Sequence, residues 1–447
     1  MDDILAYIDG QFEGTVARLQ AFCRQPSIAA QGVGMGEMAE LVHGTLEGAG
    51  ARAKLVPTAG YPVVVGRFEG TGPKTLMFYN HYDVQPPEPL ELWDSPPFAP
   101  EVRDGHLYAR GVADNKGNLV ARLAAVEAWL AIRGELPVNV LFVVEGEEEI
   151  GSPNLGRFAE DHTDKLRADG CVWESGYKDT KGRLEILLGV KGILAVDLKV
   201  RSAGRDLHSA NAAIVESAAW RLCWALNSLK GPDERVRIPG FYDDVRQPDG
   251  RDRAMLAAWD YDETGQLAEF GVDRFVLGLA GEALKERLLF QPTCNICGVH
   301  AGYGGPGIKT VLPAGAMAKL DFRLVPDQDP YDVLRKLREH LDAGGFADIE
   351  IEVESPEFPA RTDPDDPLVA AVVASARQVY GAQPVVLPLM AATGPMYELC
   401  QCWGLPAVGA GIGWSGSRVH SPNENVRLQD FRQGIQHMAL LIEAFST

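Results

Sequence analysis

The chain is predicted to be an α/β protein interrupted by an inserted ferredoxin-like α+β domain. Three observations predict it. Helix and strand signals alternate over the first 190 residues, as they do in α/β folds. The strands there are short and apolar throughout, the form taken by strands buried on both faces. Near Gly189 the pattern changes to strict alternation, and the earlier kind of helical periodicity returns only at Pro367.

In chain order, Ile4 to Cys23 reads as a helix, and Lys74 to Tyr79 as a buried strand. Gly117 to Ile132 is a helix, because Leu119, Leu123, Val126 and Leu130 fall on one stripe. Val138 to Glu145 and Cys171 to Trp173 are strands. From Ala195 to Arg201 the residues Val196, Leu198 and Val200 share one face, which predicts a half-exposed sheet. A helix follows at Glu216 to Leu229, with Ala219, Leu222, Leu226 and Leu229 in phase. The stretch from Gly231 to Gly307 is long and poorly periodic. Then come an alternating strand at Ala316 to Val325, a helix at Asp329 to Leu341 and a strand at Asp348 to Val353. With one further strand in the aperiodic stretch, the order is β-α-β-β-α-β, the ferredoxin-like pattern. Pro367 to Tyr380 and Leu428 to Phe445 are helical, and Pro406 to Ile412 is a strand. The expected division is therefore residues 1–190 plus 360–447 as one α/β body, with 191–359 inserted as a second domain.

Composition limits what such a chain can do. Its 447 residues are about three times a usual domain, which fits two or three domains with ample core. The formal net charge of −20 argues against a nucleic-acid groove, which needs a basic footprint. No apolar run approaches the ~20 residues of a membrane span. Met1-Asp2-Asp3-Ile4 lacks the basic start of a signal peptide. The seven cysteines are odd in number and scattered, which fits a reduced, cytoplasmic setting. Cys294-x-x-Cys297 has no second CxxC to complete a zinc knuckle, and Cys400-x-Cys402 has the wrong spacing.

Chemistry is concentrated at strand ends. Glu147-Glu148-Glu149-Ile150-Gly151-Ser152 closes the apolar run Val138 to Val144, after two intervening residues. Carboxylates placed there are costly unless a cation receives them. The run ending at Tyr79 is followed by His81-Tyr82-Asp83, and Glu174 follows Trp173. Open α/β sheets place their sites at such ends. His, Asp and Glu together suit a zinc site that keeps an open position for water. A two-metal hydrolase needs a bridging carboxylate, terminal ligands on each side and a base beside the water. His81, Asp114, Glu149, Glu174 and His420 are the ligand candidates. Asp83 lies on the same side of an extended chain as His81 and could orient its ring.

Four motifs stand in an order that resembles a known family. They are His81-Tyr82-Asp83-Val84-Gln85-Pro86, Gly111-x-x-Asp114-x-Lys116-Gly117, Glu148-Glu149-Ile150-Gly151-Ser152 and His420-Ser421-x-Asn423-Glu424. The family is that of the dinuclear zinc peptidases and aminoacylases, which includes carnosinases, glutamate carboxypeptidases and N-acyl-amino-acid deacylases. Trp93-Asp94-Ser95-Pro96-Pro97-Phe98, with Gly105-x-Leu107-Tyr108-x-Arg110-Gly111, resembles its dipeptidase and carboxypeptidase branches.

The resemblance implies a zinc-peptidase α/β catalytic domain with the insertion as a lid and dimerisation domain. It implies two Zn2+ per subunit, with Mn2+ or Co2+ as alternatives. Asp114 would bridge them, His81 and Glu174 completing one ion and Glu149 and His420 the other. Glu148 would be the general base, and Asp83 would buttress His81. His208, in Asp206-Leu207-His208-Ser209, resembles the family's transition-state histidine, which in dimeric members reaches the neighbour's active site. Arg323 resembles the family's arginine for the substrate carboxylate, a task that suits a guanidinium fork. Thr310 and Asn295 join it as substrate-binding candidates.

Two departures from the pattern bear on substrate. The family's dipeptidases usually carry Asp where Glu174 stands, whereas deacylases and carboxypeptidases carry Glu. Thr393-Gly394-Pro395-Met396 replaces a more polar Gly-Gly-Ser/Thr loop.

The implied activity is hydrolysis of amide bonds in dipeptides or small peptides. An N-acyl-amino-acid deacylase of the same mechanism is the alternative, and a non-catalytic ligand-binding relative is the alternative from another class. The implied partners are a small peptide or N-acyl amino acid and a second copy of the chain, paired through the lid. Gly302-Tyr303-Gly304-Gly305-Pro306-Gly307-Ile308-Lys309-Thr310 is not a phosphate loop, because Ile308 separates the Gly from the Lys. A lid loop near substrate is the expected role.

Overall fold

The computed structural model describes residues 1–447, the side chain of Ser355 excepted. Helices α1 (Asp2–Arg24) and α2 (Met35–Gly48) lead into an antiparallel pair, β1 (Arg52–Val56) and β2 (Val63–Phe68). Strand β3 (Thr75–His81) and helix α3 (Lys116–Arg133) follow. Gly134, at φ 77°, ends α3 with a backbone conformation that a residue bearing Cβ rarely adopts. Next come β4 (Asn139–Glu145), the short α4 (Leu155–Asp161), β5 (Gly170–Trp173) and β6 (Glu185–Leu187).

The thirteen-residue β7 (Gly189–Arg201) opens the insertion. Helix α5 (Ala218–Leu229) is capped by Ser217, whose side chain accepts the Trp220 N–H. Then follow β8 (Thr293–Ala301), β9 (Gly315–Leu324), α6 (Pro330–Ala343) and β10 (Glu350–Glu357). Asp329 caps α6 and Pro330 occupies its first turn, where the missing N–H costs nothing. The chain ends with α7 (Pro367–Tyr380), β11 (Val385–Leu387), β12 (Ala407–Gly409) and α8 (Leu428–Ser446).

Two sheets result. The eight-stranded one runs β1-β2-β4-β3-β5-β12-β6-β11, with β4, β3, β5 and β12 parallel at its centre. Every residue of β3, β4 and β5 is buried, as the apolar runs predicted. Side chains of α1, α2, α3, α7 and α8 form one core on this sheet, and a second core around Trp173, Phe158 and Leu399 lies on its other face. The main path of the lid sheet runs β8-β9-β7-β10, these four antiparallel, with its own core drawn from residues 194–349, and two short strands (Ala360–Arg361 and Met390–Thr393) also pair with β7, the second of them parallel. In chain order this is β-α-β-β-α-β, the ferredoxin-like arrangement.

The structure corrects the aperiodic stretch. It contains three helices (Gly250–Ala258, Glu263–Phe270 and Gly281–Phe290) and strand β8. β8 escapes pattern reading because it is an edge strand, largely exposed on both faces, with a bulge between Ile296 and Gly298. Residues 35–68, for which no element was predicted, hold α2, β1 and β2. Among the described residues no helix is long and apolar enough to cross a membrane.

Candidate active site

The parallel strands β3, β4 and β5 carry their acidic and imidazole groups just beyond their carboxyl ends. His81 is the last residue of β3, Glu148 and Glu149 lie in the turn after β4, and Glu174 follows β5. A buried guanidinium holds these ends together. Arg122, on α3, donates to the carbonyls of Tyr79, Trp173, Glu174 and Ala410, which terminate three neighbouring strands. Asn80 donates to the Asn115 side chain, which in turn donates to the Glu174 carbonyl at 2.8 Å. This frame was not evident from the sequence, where Arg122 is only one polar residue on a helix.

Asp114 lies between two imidazoles. Its Oδ1 is 3.0 Å from His81 Nε2, and its Oδ2 is 3.1 Å from His420 Nε2. Glu149 Oε2 is 3.1 Å from the same His420 nitrogen and accepts from Gln85 Nε2 at 2.8 Å. On the other side, Glu174 Oε2 is 3.7 Å and Glu148 Oε2 4.0 Å from His81 Nε2. The ligand atoms of His81, Asp114 and Glu149 lie within 4.8 Å of one another, as do those of His81, Glu148 and Glu174. Asp83 braces both halves. Its carboxylate accepts the backbone N–H of Glu149 at 2.9 Å and of Glu148 at 3.3 Å, and lies 3.4 Å from His81 Nδ1. His81 Nδ1 also lies 3.1 Å from the Asp83 carbonyl. Nδ1 as donor leaves the Nε2 lone pair facing the cluster.

Five carboxylates (Asp83, Asp114, Glu148, Glu149 and Glu174) thus meet two imidazoles. Among the described residues no Lys or Arg makes an ion pair with any of them. Glu174 Oε2 is buried without a hydrogen-bond partner. Burial and the neighbouring Glu174 charge push the Glu148 carboxyl well above its usual range, and burial raises Glu174 to about 7. Hydrogen bonds to Asp114 and Glu149 raise His420 to about 10. Burial opposes protonation of His81, yet its bonds to Asp114 and Asp83 hold it well above the ordinary value. So large an excess of buried negative charge, with an orphaned oxygen, fits divalent cations.

Residues 77–444 match the model of peptidase family M20/M25/M40. The chain belongs to this family. It superposes on the crystal structure of an M20 metallo-carboxypeptidase from Sulfolobus solfataricus with a TM-score of 0.93, at 41% identity, over 97% of this chain and 99% of that one. Against human carnosine dipeptidase 1 the TM-score is 0.82 at 25% identity, over 100% and 99% of the two chains. A Beta-Ala-His dipeptidase of Rattus norvegicus is 30% identical over 287 residues, which is 63% of this chain and 58% of that protein. This chain is accordingly an M20 metallopeptidase, with the mixed catalytic sheet and separate lid sheet of that fold.

The lid residues of this M20 metallopeptidase stand differently. Arg323, on β9, donates to Thr393 Oγ1 at 2.9 Å and pairs with Asp321 at 3.2 Å. Thr393 precedes Gly394, where a Cβ would come within 3.8 Å of Glu174 Oε1 and 3.9 Å of Glu148 Oε1. Arg323 is therefore tied to the rim of the cluster. Asn295 shares Asp321 with it, donating at 2.6 Å, and makes no bond to the cluster. His208 is exposed and touches no cluster residue by hydrogen bond or ion pair. Its Nδ1 accepts the Ala210 N–H at 3.1 Å, so the neutral ring carries its proton on Nε2, as a donor. Thr310 is exposed beside it, its carbonyl accepting the Ser209 N–H.

Glu424 is the acidic residue whose task the sequence did not reveal, although its motif was visible. Its buried carboxylate accepts from Arg110 Nη1 at 2.9 Å and from the N–H groups of Gly111, Ala113 and Asp114 at 2.9, 2.9 and 3.0 Å. It thereby shapes the loop that presents Asp114. Asn423 extends the brace, accepting the Asp94 N–H at 2.9 Å, and Arg110 stacks over Trp93 at 5.4 Å. The Trp93 and Arg110 motifs are therefore scaffold around the site. Glu424→Gln removes the charge opposite a buried guanidinium, a change that typically costs about 3–5 kcal/mol. A lower urea midpoint and weaker metal retention are expected together, read by unfolding curves and metal titration.

Proposed function

We propose that this metallopeptidase hydrolyses the amide bond of dipeptides and other small peptides that end in a free carboxylate. The observation that carries the reading is Asp114 between His81 and His420 in a buried excess of carboxylates without Lys or Arg partners. His81 and Glu174 would hold one divalent ion, Glu149 and His420 the other, and Asp114 both. Zinc suits this donor set, with manganese or cobalt as alternatives. Bound there, the ions would make water acidic and polarise the scissile carbonyl.

The chain's own groups would do the rest. Glu148 is proposed as the base because its carboxylate accepts no hydrogen bond from any described residue, whereas Glu149 is held by Gln85 and His420. It would take the proton of the attacking water and deliver it to the leaving amine nitrogen. Asp83 would fix the His81 ring and the peptide of Glu149. The Nε2–H of His208 would donate to the developing oxyanion. Arg323 would receive the substrate carboxylate in its guanidinium fork, with Asn295 and Thr310 beside it. Glu174 keeps the N-acyl-amino-acid deacylase open as a second reading, since such substrates offer the same amide and carboxylate.

We place the catalytic machinery in residues 1–190 plus 360–447 and the lid in 191–359, and assign a cytoplasmic homodimer joined through the lid. Trp220 and Trp224 support the dimer. They stack at 6.0 Å on α5 while 62% and 57% exposed, and Ile296 and Val299 are exposed on edge strand β8. Exposed apolar surface of this kind marks an interface.

Exhaustive chelation is expected to abolish hydrolysis, and zinc to restore it. His81→Ala should lose metal and activity together. Free amine released from a panel of dipeptides and N-acyl amino acids would separate peptidase from deacylase. Full activity of the chelated protein would exclude the dinuclear reading, and a metal-loaded protein inactive on the whole panel would favour a ligand-binding relative.

A further inference from the structure

One face of the catalytic sheet is left open at its β1–β2 end. Helix α2 packs on the other face, so only the seven-residue α4 and the segment 162–169 wall this one. Alternate residues of a strand share a face. The register Arg52↔Arg67, Lys54↔Val65, Val56↔Val63 therefore sets three cations beside three valines on one surface. The groove above them encloses about 630 Å³. That lies within the roughly 300–1,000 Å³ of small-ligand sites. Val56, Val65 and Phe158 form part of its floor.

Its charge is opposite to that of the molecule. Arg52, Lys54, Arg67, Lys165 and Arg167 surround it, against Glu69, Asp164 and Asp169, on a chain of net charge −20. The acids are already engaged. Glu69 lies 3.6 Å from Arg52 and 3.3 Å from Arg67, Asp164 pairs with Arg167 at 3.1 Å, and Asp169 accepts the Thr75 N–H at 2.7 Å. The side chains of Lys54 and Lys165 make no hydrogen bond or ion pair with any described residue. Arg52 stands directly across from Arg67, an arrangement of like charges that destabilises a strand pair. Glu69 offsets part of this repulsion, and a further anion beside Lys54 would relieve the rest.

We infer that this groove binds an amphipathic organic carboxylate, its apolar body on Val56, Val65 and Phe158 and its carboxylate among Arg52, Lys54 and Arg67. The site is separate from the catalytic cluster. Thr75, which lines it, begins β3, and His81 ends that strand, about 20 Å away at the usual rise per residue.

Calorimetric titration of octanoate into the metal-loaded protein tests the inference, with octanol as the uncharged probe. Octanoate is expected to bind saturably and octanol not. Lys54→Glu and Lys165→Glu, both at exposed side chains, should each weaken octanoate at least about tenfold while leaving peptide hydrolysis and thermal unfolding unchanged. Arg323→Ala should leave octanoate affinity unchanged. Absence of saturable binding, wild-type affinity in both lysine variants, or loss of binding in Arg323→Ala would each overturn the assignment, the last by placing octanoate in the active site.

Discussion

Glu148→Gln is expected to lower kcat by roughly 10²–10⁴-fold while metal content stays at the wild-type level. The amide has nearly the shape of the acid but cannot take a proton from water. Metal is retained because the proposed ligands are the neighbouring Glu149 and the groups around Asp114. Glu149→Gln should behave otherwise. Glu149 Oε2 is 3.1 Å from His420 and is held by Gln85, so the substitution disturbs a fixed oxygen in the cluster. Weaker metal binding is expected, with activity recovering as metal is added. Metal analysis and kcat at saturating metal distinguish the two variants. The comparison is decisive because Glu148 also lies within ligand range of His81 and Glu174. If Glu148→Gln lost metal and Glu149→Gln kept it, the roles would be exchanged by one residue along the acidic run.

What was legible in the sequence is the part that repeats a local rule. His81 ends, and Glu149 and Glu174 follow, strands that are buried throughout and mostly apolar, and burial on both faces leaves that mark in any single sequence. The lid strands β7 and β9 alternate because one face is covered by α5 and α6. Edge strand β8 has no covered face over most of its length, and so no pattern to read. Tasks set by distant contacts were equally silent. Arg122 is 43 to 288 residues from the carbonyls it gathers, and Glu424 is more than 300 residues from the loop it shapes. Glu424 stands in a motif recognised by its order, which gives it neither a place in the site nor a task. Asp83 was read as a support for His81 alone, whereas its carboxylate also fixes the backbone of Glu148 and Glu149. One acid thus couples the ring on β3 to the turn after β4.

Mixing two nearly inactive variants, His208→Ala and Glu148→Ala, is expected to restore activity. His208 is exposed on the lid and bonds only within its own turn, its Nδ1 taken by the Ala210 N–H and its Nε2–H free to donate. Within its own chain it touches nothing in the cluster that it is proposed to serve. A neighbouring subunit paired through α5 and edge strand β8 would supply the missing partner, and a two-fold dimer is the commonest way to do so. In a mixed dimer, the His208→Ala subunit keeps Glu148 and receives the intact His208 of its partner. That single site is complete, and the other site lacks both groups. Random reassortment puts half of the subunits in mixed dimers, so about one quarter of the wild-type number of sites should work. Loss of one oxyanion donor costs roughly 10²–10³-fold, and loss of the base at least as much, so the recovery would stand far above either parent. Subunit exchange must be demonstrated in the same sample, for example by mass spectrometry of differently tagged chains. Exchange without recovery would show that His208 does not act across an interface and would leave the proposed oxyanion donor without a role in the neighbour's site.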